Sequence, residues 1–82
     1  MKVYIIRFEE LDCGENYSSG ISYVFDTKEK ARKMLQTIKE DEMIYYEDRE
    51  DIEDILKESE DSIIFDFLDE YIKYEIVEMR VE

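Results

Sequence analysis

The sequence predicts a single α+β domain over residues 1–82, a three-stranded antiparallel sheet with two or three helices packed on one face, in the order β-β-α-α-(α)-β. Three observations lead there. Two short apolar runs, KVYIIRF and ISYVF, stand near the start, separated by a stretch rich in turn-forming residues. Apolar residues then recur at helical spacing through the middle of the chain. The chain closes on KYEIVEMRV, a run dense in strand-forming side chains.

The first run, residues 2–8, carries Val3, Tyr4, Ile5, Ile6 and Phe8, apolar on both faces, which places it in the middle of the sheet. Residues 9–20 are polar and include Gly14, Asn16, Ser18, Ser19 and Gly20, so they read as a long loop. Residues 21–25 form the second strand of a hairpin. Asp26 with Glu29 three residues on has the form of a capping box, and Ala31, Met34, Leu35 and Ile38 mark the stripe of a first helix. Its other residues, Lys28, Lys30, Arg32, Lys33 and Lys39, make it locally basic.

Residues 40–61, EDEMIYYEDREDIEDILKESED, hold twelve carboxylates and two basic residues, a net −10 out of −13 for the whole chain. The apolar island Met43, Ile44, Tyr45, Tyr46 and the i, i+3, i+4 set Ile52, Ile55, Leu56 predict an ordered second helix with an acidic outer face. For residues 62–72 the spacing of Ile63, Ile64, Phe67, Leu68, Tyr71 and Ile72 predicts a third helix with Ser62 as its cap. The competing reading is a strand over residues 63–68. The closing strand changes apolar parity at Ile76 and Val77, which predicts a bulge, and it is expected at the sheet edge.

Composition restricts the chemistry. The chain has no histidine, so Ser-His and Cys-His nucleophile systems are excluded within it. Its two glycines build no phosphate-cradling loop. Cys13, the one cysteine, has acidic neighbours that disfavour a thiolate. The calcium-loop spacing does not occur, and Asp12, Glu15 and Asn16 read as an ordinary polar loop. The expectation is a non-enzymatic protein with no cofactor and no dedicated metal. No apolar stretch suits a membrane span and no leader is visible, so the cytoplasm is the expected compartment. A homodimer would add core to so small a chain.

A net charge of −13 disfavours direct binding to nucleic acid or anionic membranes and favours a basic protein surface. As a continuous helix, residues 40–61 would span about 33 Å, close to one charge per roughly 3.3 Å, similar to the roughly 3.4 Å of a single DNA strand. The expected contact residues are therefore Glu47, Asp48, Glu50, Asp51, Glu53, Asp54, Glu58, Glu60 and Asp61, with Tyr45 and Tyr46 as aromatic anchors. The same pattern also describes a solvated helix face partly neutralised by the basic helix before it, with the tyrosines packed on the sheet.

The segments KVYIIRF, GISYVFDTKEKARKML and YEIVEMRVE resemble small uncharacterised proteins of bacteria and their phages. In those, a hairpin leads through Ser or Thr and Lys-Glu-Lys-Ala into a helix, and a Tyr-Glu-Ile strand ends the chain. The resemblance covers about half the chain, implies a β-β-α-β fold and carries no catalytic residue; residues 40–68 depart from it. In size and charge the chain is also similar to phage-encoded inhibitors of defence nucleases, including anti-CRISPR and anti-restriction proteins. That likeness implies a nucleic-acid mimic acting in a host cytoplasm. The alternative expectation is a structural or regulatory protein-interaction module, binding through its sheet face or edge.

Overall fold

A computed structural model describes residues 1–12, 16–46, 55–67 and 70–81. Among the described residues the strands are β1 (Lys2–Asp12), β2 (Asn16–Phe25), β3 (Leu56–Glu58), β4 (Ser62–Asp66) and β5 (Tyr71–Arg80), and the helix α1 (Lys28–Tyr45) lies between β2 and β3. They form one five-stranded antiparallel sheet in the order β2-β1-β5-β4-β3. The expected three-stranded sheet with two or three helices is thus replaced by five strands and a single helix among the described residues. Cys13 and the loop residue Glu15 lie outside them.

Each departure has a local cause. Residues 9–12 and 16–20 extend the hairpin, pairing Glu9 with Ser19, Glu10 with Ser18 and Asp12 with Asn16. Most of these residues are exposed, so backbone pairing holds them without the apolar alternation that marks a half-buried strand. Gly20 sits across from Phe8, and a Cβ there would lie 3.0 Å from the Phe8 ring; the glycine leaves room for the aromatic to lean on its neighbour strand.

The helix begins one residue later than the capping box suggested. Thr27 is the N-cap and its Oγ1 accepts from the Lys30 amide at 3.2 Å, while Asp26 pairs with Lys30 Nζ at 2.9 Å. It then runs through the basic-to-acidic junction at Lys39 and Glu40 without a break. A change in the sign of exposed charge does not end a helix; Gly, Pro or a cap does, and none stands there. The stripe Ala31, Leu35, Ile38, Met43 is continuous with Tyr46, so the apolar island belongs to α1 and not to a second helix.

Leu56, expected on the acidic helix, pairs with Phe65 in β3. Residues 62–66 form a strand, where a helix was favoured: Ile63, Phe65 and Phe67 are all buried, a period of two that outweighs the helical spacing of the same stretch. Ser62 therefore begins a strand and caps no helix. β5, expected at the edge, lies between β1 and β4, which explains why both its parities are apolar. Its pairing with β1 is regular from Lys2 with Arg80 to Leu11 with Tyr71. The bulge lies in β2 instead, where Ile6 pairs with Tyr23, Arg7 pairs with Ile21, and Ser22 is extra. β1 is interior, flanked by β2 and β5, though β5 is the central strand of the five.

Alternation then sorts the side chains. The face under α1 carries Ile6, Ile63, Phe65, Tyr74 and Ile76, which pack with Leu35 and Ile55 into the core. The opposite face carries Val3, Ile5, Arg7, Glu9 and Leu11 from β1, Ile21 and Val24 from β2, and Tyr71, Lys73, Glu75, Val77 and Met79 from β5. No described element covers it.

Candidate interaction surfaces

Three places concentrate exposed chemistry. The first is the carboxylate row. Glu47, Asp48, Glu50, Asp51, Glu53 and Asp54 lie outside the described residues. The three described members are held by the cations of α1. Glu58 pairs with Lys39 at 2.8 Å, Glu60 with Arg32 at 3.2 Å, and Asp61 with Arg32 at 2.9 Å and Lys28 at 3.4 Å. The hydrogen bond from Arg32 holds the Asp61 carboxyl below its ordinary pKa, against a smaller opposing effect of burial, and Asp61 in turn keeps the Arg32 guanidinium protonated. A tight turn, closed by the Ser59 amide donating to the Ser62 carbonyl at 2.9 Å, presents Glu60 and Asp61 to the helix. These carboxylates fasten the β3–β4 turn to α1. The two tyrosines divide: Tyr46 packs on Phe65 and Phe67 at ring distances of 5.6 and 5.1 Å, and Tyr45 stands 81% exposed against its edge.

The second place is a hollow of about 430 Å³ beside the C-terminal half of α1, lined by Ser22, Tyr23, Ile38, Asp41, Glu42 and Tyr74. Burial raises the Glu42 pKa and the negative charges of Glu10 and Asp41 raise it further, while the Tyr74 hydroxyl donates to its carboxylate and opposes them. The same burial, with Glu42 and Glu10 nearby, pushes the Tyr74 phenol up to about 12. Sequence reading passed over this group, because the strand register and the helix position together bring Glu10, Glu42 and Tyr74 to one spot, and no local spacing encodes that.

The third place is the bare face of the sheet. Ile5 is only 5% exposed although no described element lies over it; Val24 and Val77 flank it on the neighbouring strands. Around it Ile21, Val24, Met79 and Val81 are 45–59% exposed, and Val3 and Val77 are half-buried. Farther along, Tyr17, Leu11 and Tyr71 form a second apolar row across three strands. Between the two rows lies a polar belt, in which Arg7 Nη1 approaches Glu75 at 3.9 Å, Arg7 Nη2 approaches Glu9 at 3.7 Å and Lys73 approaches Glu75 at 3.5 Å. Half-exposed apolar clusters bordered by charge mark an interaction surface more often than an idle one.

Among the described residues no three Asp, Glu or Cys side chains gather as a metal site, and no helix is long and apolar enough to cross a membrane. Comparison with protein-family models, curated proteins and solved structures finds no match.

Proposed function

We propose that the chain is a non-enzymatic protein-interaction module whose recognition surface is the bare face of its sheet. The observation that carries this is the cluster around Ile5, where Ile21, Val24 and Met79 remain about half-exposed beside a side chain that is already buried. A finished two-layer domain leaves such a face polar; here its apolar rows span three strands. The test is capture from the native cell lysate by wild type, by Ile21→Lys with Met79→Lys, and by Asp51→Lys with Asp54→Lys. Loss of capture in the first variant alone supports the face; loss in the second alone refutes it.

The second reading, a nucleic-acid-mimicking inhibitor of a basic protein groove, is favoured by the net −13, a charge large enough to steer association with a cationic partner. It has lost part of its footing, since Glu58, Glu60 and Asp61 already have cationic partners within the chain. Its weight falls on the carboxylates at positions 47–54, and Asp51→Lys with Asp54→Lys should then abolish capture. Salt separates the readings further, because pairing with a basic partner weakens as salt rises and apolar contact does not.

A further inference from the structure

We propose that the occupant of the bare face is a second copy of this chain, stacked sheet on sheet about a two-fold axis that lies in the interface and runs along the strands between β1 and β5. The proposal rests on the reading of the bare face as the recognition surface and adds the identity of the partner.

Charge is the first argument. The chain as a whole carries −13, yet the described charged residues of the bare face are Arg7, Lys57 and Lys73 against Glu9, Asp66 and Glu75, three of each sign. Lys57 and Asp66 pair with each other at 3.3 Å. A face that awaits a basic partner would be acidic; this one is neutral on a strongly acidic molecule, which removes the main obstacle to meeting its own copy.

The arrangement of those charges is the second. Arg7 and Glu9 on β1 stand beside Glu75 and Lys73 on β5, so the centre of the face is a two-by-two alternation of signs. Rotation by a half-turn about the proposed axis places β1 of one copy over β5 of the other. Arg7 then meets Glu75 and Glu9 meets Lys73 across the interface, each twice, while Ile5 meets Val77 and Val3 meets Met79. Self-complementarity of this kind is what a two-fold interface requires. The product is a β-sandwich, two sheets about 10 Å apart with their strands roughly aligned.

Area is the third. The chain exposes 5950 Å² for a mass of 10.0 kDa, where a folded monomer of that mass exposes about 5200 Å². The excess, about 700 Å², belongs to the molecule as a whole, and the half-exposed Ile21, Val24, Met79 and Val81 of the bare face contribute to it.

Sedimentation equilibrium of the intact chain at about 0.1 M and about 0.5 M sodium chloride, up to about 500 µM, tests the proposal. The expected result is association to twice the 10.0 kDa chain mass, tighter at the higher salt because screening relieves the repulsion between two acidic copies. Glu75→Lys, whose side chain is partly exposed, should weaken the dimer about tenfold or more. Adding Arg7→Glu should restore it, since exchange of the two signs keeps β1 complementary to β5. Circular dichroism verifies that each variant is folded, and Met79→Lys, at a half-exposed position, supplies an independent disruption. A wild type that stays monomeric at both salts overturns the proposal; if Ile21→Lys with Met79→Lys still loses lysate capture, the bare-face reading survives without a second copy. A dimer indifferent to Glu75→Lys and Met79→Lys overturns the proposal, and the bare-face reading then stands or falls with lysate capture.

Discussion

On the helix side of the sheet, Ile6, Ile63 and Phe65 are wholly buried beneath Leu35; on the other side Ile5, one residue earlier on the same strand, is also buried, and the apolar residues around it stay half-exposed. The two faces share β1 and β5 and use similar side chains there. They differ in what lies over them. One has an 18-residue helix whose cations also fasten the β3–β4 turn. The other has apolar rows, a neutral belt of ion pairs and nothing described above it. The difference teaches that the chain spends only part of its apolar surface on its own core, and that an acidic composition can conceal a neutral, apolar face.

The comparison is sharpest where burial is deepest. Phe65→Ala, in the centre of the covered face, should cost about 3–5 kcal/mol, a large share of the roughly 5–15 kcal/mol typical of a small domain. Urea denaturation followed by circular dichroism measures it. Ile5→Ala asks whether the bare face contributes to stability at all. If the Ile5 cluster is a true packing nucleus, the loss lies near the lower end of the roughly 2–5 kcal/mol range for buried Ile or Leu truncation. A loss no greater than that of an ordinary exposed substitution, about 0.5 kcal/mol, would show that its burial counts for little.

Asp61→Asn removes the partner of Arg32 and Lys28 and should cost no more than about 1 kcal/mol, because all three side chains are well exposed. Its pH dependence has a definite sign. The folded pKa of Asp61 is lowered, so its contribution is present above the ordinary value of 3.8 and disappears as pH falls through the lowered one. The melting temperatures of wild type and variant should converge in that acid range. The smallest effect is expected at the acidic end of α1, whose last turn contains no basic residue. Asp41→Lys puts a cation near the negative end of the helix dipole and should stabilise by about 0.3–1 kcal/mol. It should also move the raised Glu42 pKa back toward its ordinary value, since Asp41 contributes to that rise; carboxyl-resolved NMR titration reads the shift.

How much of this was legible in the chain depends on whether a feature is local. The strands around Ile5 and Val24 and the stripe Ala31, Leu35, Ile38 declare themselves by periodicity. The outer hairpin does not, because Glu9 with Ser19 and Asp12 with Asn16 are held by backbone pairing that side-chain type barely affects. Residues 62–66 satisfy two periods at once, and only a strand partner on each side, β3 and β5, decides for the period of two. The acidic stretch misled by composition: Glu40, Asp41 and Glu42 finish the basic helix, Leu56 opens a strand, and Glu58, Glu60 and Asp61 answer lysines and an arginine far away in sequence. The bare face was unreadable for the same reason as the hollow at Glu42, since which parity of β5 meets the helix is fixed by pairing across the sheet.

The central claim is that the bare face, and no other surface, carries association. Methyl-resolved NMR over a dilution series of the intact chain tests it most directly. The account predicts concentration-dependent shifts at Ile5, Ile21, Val24, Val77 and Met79, with Leu35 and Ile63 beneath the helix unchanged. Shifts confined to Ile44 and the end of α1, or to the edge of β3, would contradict it.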